Sequence, residues 1–185
     1  MTGETTAADR SAARVRAYVG IGGTLSDRLA HLRGAVAALR AAPGIAAVAA
    51  SPLYRSAAHR LPGQDAAPDY LNAVLALDTS LAPLALLDLL LATETDGGRT
   101  RPVPWAPRTL DLDLLLAGDA ALDTPRLTLP HPRLRLRRFV LAPLADLAPA
   151  LRLPPDGMTV AAALAACPDA GPCVRMGDGS WADGR

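Results

Sequence analysis

The chain has 185 residues, with 19 Lys+Arg against 18 Asp+Glu for a formal charge of +1, and 50% of its residues are hydrophobic. That length suits one compact domain, the apolar fraction excludes wholesale disorder, and the near-neutral balance removes the simplest reason to expect nucleic acid or an anionic membrane as partner. No lysine occurs anywhere, which excludes a Schiff-base lysine, a lysine general base and the Gly-Lys-Ser/Thr phosphate loop, so a bound phosphate must be held by arginine, backbone amides or metal.

Residues 1–15 read as a loose leader, and Met1 to Arg14 lack the apolar segment of a signal peptide. Arg16 to Gly22 alternates apolar and small residues and ends in glycine, predicting a strand that runs into a tight turn. Leu29, Leu32, Val36 and Leu39 recur at helical spacing, so a helix is expected over Asp27 to Ala42, stopped by Pro43-Gly44. Ile45 to Tyr54 reads as a strand, Ser56 to Pro68 as a loop, and Tyr70 to Asp78 as a second alternating strand. Ser80 and Pro83 open a helix to about Thr95, closed by Gly97-Gly98. Its most apolar stretch, Leu81 to Ala92, is broken by Asp88 and too short to span a bilayer. A cytoplasmic domain is expected.

Arg99 to Pro107 is a proline-rich loop, Thr109 to Leu116 a strand, and Arg138 to Leu147 a helix after a basic, proline-punctuated segment. The stretch 16–168 is expected to form the single domain, with 169–185, rich in Gly and Asp, as a frayed tail. Cys167 and Cys173 are too few for a disulfide scaffold and read as ordinary thiols. Strand-helix-strand-strand-helix-strand is the order of an α+β, ferredoxin-like βαββαβ core. It predicts a mostly antiparallel sheet with helices on one face and the other face open to ligand.

The densest chemistry lies in Trp105 to Leu116, WAPRTLDLDLLL. On a strand Asp111 and Asp113 share one face while Leu110, Leu112 and Leu114 take the other. Neighbouring carboxylates repel unless a cation or proton sits between them, and oxygen-only ligands suit Mg²⁺. The alternative is an amphipathic edge strand with solvated aspartates. Arg99, Arg101 and Arg108 precede the pair, and Arg126, Arg133, Arg135, Arg137 and Arg138 follow it. Guanidinium forks match phosphate geometry, although an arginine-rich chain also carries some as solvated charge. His131 is either structural or a phosphate donor. Tyr70 and Phe139 either fill the core or stack on a flat ligand.

WAPRTLDLDLLL resembles the signature of the 6-hydroxymethyl-7,8-dihydropterin pyrophosphokinases of folate biosynthesis, and the likeness continues in family order through AYVGIGGTLSDR, SPLYRS, PDYLNAVLALDTSLAPLALLDLLLATE, GGRTR and RLTLPHPRLRLRRFVLAPLADLAP, from about Ala17 to Pro149. The resemblance implies a ferredoxin-like fold. It also implies transfer of pyrophosphate from ATP, as co-substrate, to the pterin hydroxymethyl group with release of AMP and with two Mg²⁺ ions. It assigns the metal to Asp111 and Asp113, and catalysis to the loop arginines Arg99 and Arg101 with Arg108. Arg108, Leu114, Arg126, Thr128, His131, Arg137 and Trp105 fall at ATP-binding positions, and Ser56, Tyr70, Asn72 and Phe139 in the pterin pocket. ATP and a hydroxymethyl-dihydropterin are the implied partners, with association to neighbouring folate enzymes and neither nucleic acid nor membrane. Departures are Gly22-Gly23-Thr24 for Gly-Ser-Asn, Pro104 for a basic residue, and Ser56-Ala57 for Thr-Pro. The alternatives are a paralogue acting on another pterin, or a catalytically silent module that binds nucleotide or RNA.

Overall fold

The computed structural model describes residues 13–24, 27–57, 69–97 and 110–184. Strand β1 (Val15–Gly23) leads into helix α1 (Arg28–Ala41), then β2 (Ile45–Ala50), β3 (Leu53–Ser56) and β4 (Tyr70–Thr79). Helix α2 (Pro83–Asp96) precedes β5 (Asp111–Ala117) and the short hairpin β6 (Leu122–Asp123) and β7 (Thr128–Leu129). Helix α3 (Arg138–Leu147), the hairpin β8 (Arg152–Leu153) and β9 (Met158–Thr159), helix α4 (Val160–Ala165) and β10 (Cys173–Met176) complete the order. The main sheet runs β10-β3-β4-β1-β5, with β2 also pairing β4, and each pairing is antiparallel. This is an α+β architecture on an antiparallel sheet.

The strand expected over Ile45 to Tyr54 is two strands, because Pro52 has no N–H for a ladder. Ser51 fills the break. Its N–H donates to the Val74 carbonyl, its hydroxyl accepts the Val74 N–H at 2.9 Å, and the same hydroxyl donates to Pro52 O at 2.8 Å.

Helices α1 and α2 share one face as the βαββαβ order predicts, but α3 and α4 cover part of the other, the face expected to stay open to ligand. Ala17, Val19 and Ile21 of β1, with Ala73, Leu75 and Leu77 of β4 and Leu112 and Leu114 of β5, bury against Leu32, Val36 and Leu39 of α1 and Leu86 and Leu90 of α2. The alternate residues Tyr18, Val74, Ala76, Leu115 and Leu116 bury against Val140, Leu141 and Leu144 of α3 and Val160 and Ala163 of α4. Both faces of the strands are apolar there, so each needs a helical layer.

The segment after Asp169, read from its composition as frayed, is built into the fold. β10 pairs β3, with Cys173 opposite Ser56 and Arg175 opposite Tyr54. Gly179 passes so near β2 that a Cβ on it would lie 2.5 Å from the Ala50 carbonyl oxygen. Trp181 is 5% exposed, and its indole N–H donates to Ser51 O at 2.7 Å. Two arginines of α1 close over it, Arg33 Nε donating to Trp181 O at 2.8 Å and Arg40 to Ala182 O at 2.9 Å. Among the described residues no helix is long and apolar enough to cross a membrane.

Truncating the indole removes a large buried side chain and leaves the Ser51 carbonyl without its donor. Trp181→Ala is therefore expected to cost about 3–5 kcal/mol, lowering Tm by about 10 °C. Thermal melting checks this, and an unchanged Tm would mean the tail is not held as described.

Candidate active site

The site grows out of the pairing between β1 and β5. Gly22 stands opposite Asp111 and Gly20 opposite Asp113, so the neighbouring strand sets no side chain beside either carboxylate. Gly22 leaves little room for a side chain: a Cβ there would meet Asn72 Oδ1 at 3.0 Å and the Leu71 carbonyl oxygen at 3.2 Å. Between the two aspartates, the Leu112 N–H donates to Glu94 Oε1 at 2.7 Å. Glu94 sits in α2, is 1% exposed and thus ties the helix to the start of the strand.

Further along, Val19 pairs with Leu114 and Tyr18 with Leu116, leaving Leu115 as the extra residue of a bulge. The Leu115 carbonyl accepts the backbone N–H of His131 at 2.9 Å, which brings the 131–137 segment over β5. His131 Nδ1 accepts the Arg133 N–H at 3.1 Å, so the neutral ring carries its proton on Nε2. Burial lowers the imidazole pKa, Asp113 opposes that shift, and the Arg137 and Arg133 guanidiniums reinforce it. The shift favours the neutral ring, which offers one N–H donor.

Arg137 reaches Asp113 at 3.5 Å and lies over the Phe139 ring, 5.6 Å from its centroid. Asp111, Asp113, Leu114, Arg126, Thr128 and His131 all border one hollow of about 410 Å³, within the roughly 300–1,000 Å³ of ligand pockets. Leu87 and Leu91 of α2 add an apolar wall, and a turn closes the far side, where the Thr124 hydroxyl donates to Leu127 O and accepts its N–H, both at 3.0 Å. Arg126, on that turn, pairs with Asp88 of α2.

A second hollow, about 120 Å³, is bordered by Ser56, Ala57 and Phe139 together with Asp169, Gly171, Pro172 and Cys173. Asn72 Nδ2 donates to Ser56 Oγ at 2.9 Å, placing the amide beside this hollow and on the same sheet face as the aspartates. Tyr70 pairs with Ser56 across β3 and β4 and shares that face by alternation, but it borders neither hollow among the described residues. Arg99, Arg101, Trp105 and Arg108 lie outside the described residues.

Two groups of wall residues escaped the sequence. Leu87, Thr124 and Pro125 look like ordinary helix and turn residues. Asp169 and Cys173 sit in a stretch whose composition suggests a loose tail, and long-range contacts bring them to the hollow, Asp169 by accepting the Arg138 N–H and Cys173 by the β10–β3 pairing.

Glu94→Ala removes the acceptor of a buried N–H and is expected to cost about 1–3 kcal/mol while speeding hydrogen exchange at the Leu112 amide. Denaturant melts and exchange mass spectrometry check this, and unchanged protection at Leu112 would refute the tie.

A model of the 7,8-dihydro-6-hydroxymethylpterin-pyrophosphokinase family matches residues 18–149. A Pseudomonas aeruginosa protein named 2-amino-4-hydroxy-6-hydroxymethyldihydropteridine pyrophosphokinase is 50% identical over 153 residues, covering 83% of this chain and 92% of its own length. A protein of the same name from Pseudomonas putida is 55% identical over 117 residues, 63% of this chain and 94% of its own. Among solved structures, an HPPK-DHPS in complex with substrates aligns with a TM-score of 0.65 at 11% identity, over 83% of this chain and 43% of that one. A Plasmodium falciparum HPPK-DHPS triple mutant aligns at 0.63 and 11% identity, with the same coverage. The protein thus spans less than half of those longer chains, and at such identity their likeness bears on the fold alone. The family match, continuous from β1 through α3, carries more. It takes in both aspartates, the histidine loop and the start of α3, and the chain belongs to the 7,8-dihydro-6-hydroxymethylpterin-pyrophosphokinase family.

Proposed function

We propose that the protein transfers pyrophosphate from ATP to 6-hydroxymethyl-7,8-dihydropterin, giving AMP and the pterin pyrophosphate in folate biosynthesis, on a core we class as ferredoxin-like. Family membership supports the reaction. The observation that carries the site is that Asp111 and Asp113 stand on one strand face at a nucleotide-sized hollow, joined through Arg137 to a second hollow lined by Phe139.

In the transfer, a bond forms between the hydroxymethyl oxygen and the β-phosphorus of ATP. The bond from that phosphorus to the oxygen shared with the α-phosphate breaks, and the hydroxyl proton leaves to solvent. Positioning and charge neutralisation carry most of such a barrier, so no strong general base is required. His131 Nε2–H and the Arg137 guanidinium are suited to phosphate oxygens, with Arg126 and Thr128 at the outer wall of the hollow. Ser56 orients the Asn72 amide, and an amide offers both donor and acceptor to the edge of a pterin. Phe139 supplies a face for stacking, and Tyr70 a second ring on the same side of the sheet.

Among the described residues no group of three or more His, Cys, Asp or Glu could hold a metal. Two carboxylates on one face nonetheless fit Mg²⁺, which keeps part of its water and takes its other ligands from phosphate. When bound, two such ions would neutralise charge on the transferring phosphates. Catalytic roles for Arg99, Arg101 and Arg108, and nucleotide contact by Trp105, complete the proposal on the strength of the resemblance. So do a cytoplasmic setting, where ATP is available, and association with a neighbouring folate enzyme.

Product analysis with Mg²⁺, ATP and the pterin tests the reading: AMP should appear in step with pterin pyrophosphate. AMP formed only with a different pterin in a substrate panel would favour the paralogue suggested by Gly22-Gly23-Thr24 and Ser56-Ala57. Steeply salt-dependent RNA binding without ATP consumption would favour the silent module. Asp111→Ala and Asp113→Ala are each expected to lower kcat by about 10³-fold or more while leaving the melting curve cooperative. Near-normal turnover in either would remove the metal role. Arg99→Ala and Arg101→Ala should slow single-turnover chemistry more than they weaken ATP binding, and unchanged single-turnover rates would reduce both to surface charge.

A further inference from the structure

Helix α3 starts without a cap of its own. Its N-cap residue, Arg137, supplies no side-chain bond, and its first turn holds no acidic residue. The acceptor comes from 31 positions further on, where Asp169 Oδ2 accepts the Arg138 N–H at 3.0 Å. A carboxylate there satisfies one orphan donor and meets the positive end of the helix dipole. The other oxygen, Oδ1, accepts the Gly171 N–H at 2.9 Å and fixes the turn that leads through Pro172 into β10.

One side chain therefore sets two walls of the second hollow. Phe139 is the second residue of the helix that Asp169 caps, and Cys173 enters the sheet opposite Ser56 just after the turn that Asp169 closes. Asp169 also lies beyond residues 18–149, so the family match does not reach it.

We infer that Asp169 is a positioning residue for pterin binding, holding the start of α3 and the Gly171–Cys173 wall at the spacing that a flat ring requires. The inference rests on the pterin reading of this hollow. The nucleotide side is built from β5 and the 124–132 segment, and Arg137 is held there separately by Asp113. Loss of the Asp169 carboxylate should accordingly fall on one substrate.

Steady-state kinetics with each substrate varied in turn, beside thermal melts, test this. Asp169→Ala is expected to raise the pterin KM about tenfold and to leave the ATP KM within about twofold. Asp169→Asn keeps one acceptor oxygen and should raise the pterin KM only about threefold, and it carries the test alone if the alanine variant fails to fold. Trp181→Ala, which loosens the tail away from the hollow, should lower Tm without moving the pterin KM. Equal rises in both KM values, or a pterin KM that tracks Tm across the three variants, would overturn the inference while leaving the reaction standing. Absence of pterin turnover in the wild-type protein would overturn the reading of the hollow and this inference with it.

Discussion

Two carboxylates held side by side on one strand face repel each other, and the surroundings must be arranged to tolerate them. Here the arrangement is the register of β5 against β1. Glycine stands opposite each aspartate, leaving space for water or ligand where a side chain would otherwise press on the pair. Glu94 holds the intervening Leu112 amide, and the extra residue Leu115 presents its carbonyl to His131. A slip of one residue would turn Asp111 and Asp113 toward α1 and α2 and expose Leu112 and Leu114. Burying two charges in that apolar layer is prohibitive, so the hydrophobic face of β5 enforces the geometry of its polar face.

The same face changes character along its length. Under α3 and α4 it is Tyr18, Val74, Ala76, Leu115 and Leu116, all buried. Toward the other end it becomes Gly20, Gly22, Asn72, Asp111 and Asp113, small or polar. α3 thus serves as both packing layer and boundary. Its body fills the apolar half, and its first residues, with Arg137 just before them, stand at the margin where the polar half begins.

How much of this was legible in the sequence depended on the range of the interaction. Alternation within TLDLDLLL was enough to place the aspartates together, because strand geometry fixes the faces of neighbours. The helix from Arg138 to Leu147 was equally local. Which face that helix covers was not readable, since periodicity shows that a helix has an apolar side and not what that side meets. The tail misled for a related reason. Its glycines and aspartates are loop-like, yet Gly179 is needed for close approach to Ala50, and the partners of Trp181 lie 130 and 148 positions away. The alternation of strands and helices up to β5 was recoverable because most elements carry their own punctuation, from Pro43-Gly44 to Gly118-Asp119, while the break at Ser51-Pro52 that makes two strands of Ile45 to Tyr54 was not read.

A chain without lysine uses one cation for every purpose, and geometry separates the purposes. Arg33 and Arg40 donate to carbonyl oxygens of the tail and act as staples. Arg135, an open case by sequence, is tied to the Asp156 carboxylate and to the Leu153 and Pro154 carbonyls, and it holds the Asp156 carboxyl far below the usual range. Its donors are spent on the β8–β9 hairpin, which argues for structure rather than phosphate. Arg137 differs. Its nearest acid is a looser 3.5 Å away, that acid belongs to the site, and its other contact is the face of an aromatic ring. A guanidinium placed so is compatible with the phosphate role proposed for Arg137, whereas Arg33, Arg40 and Arg135 are committed to backbone and carboxylate partners of the fold.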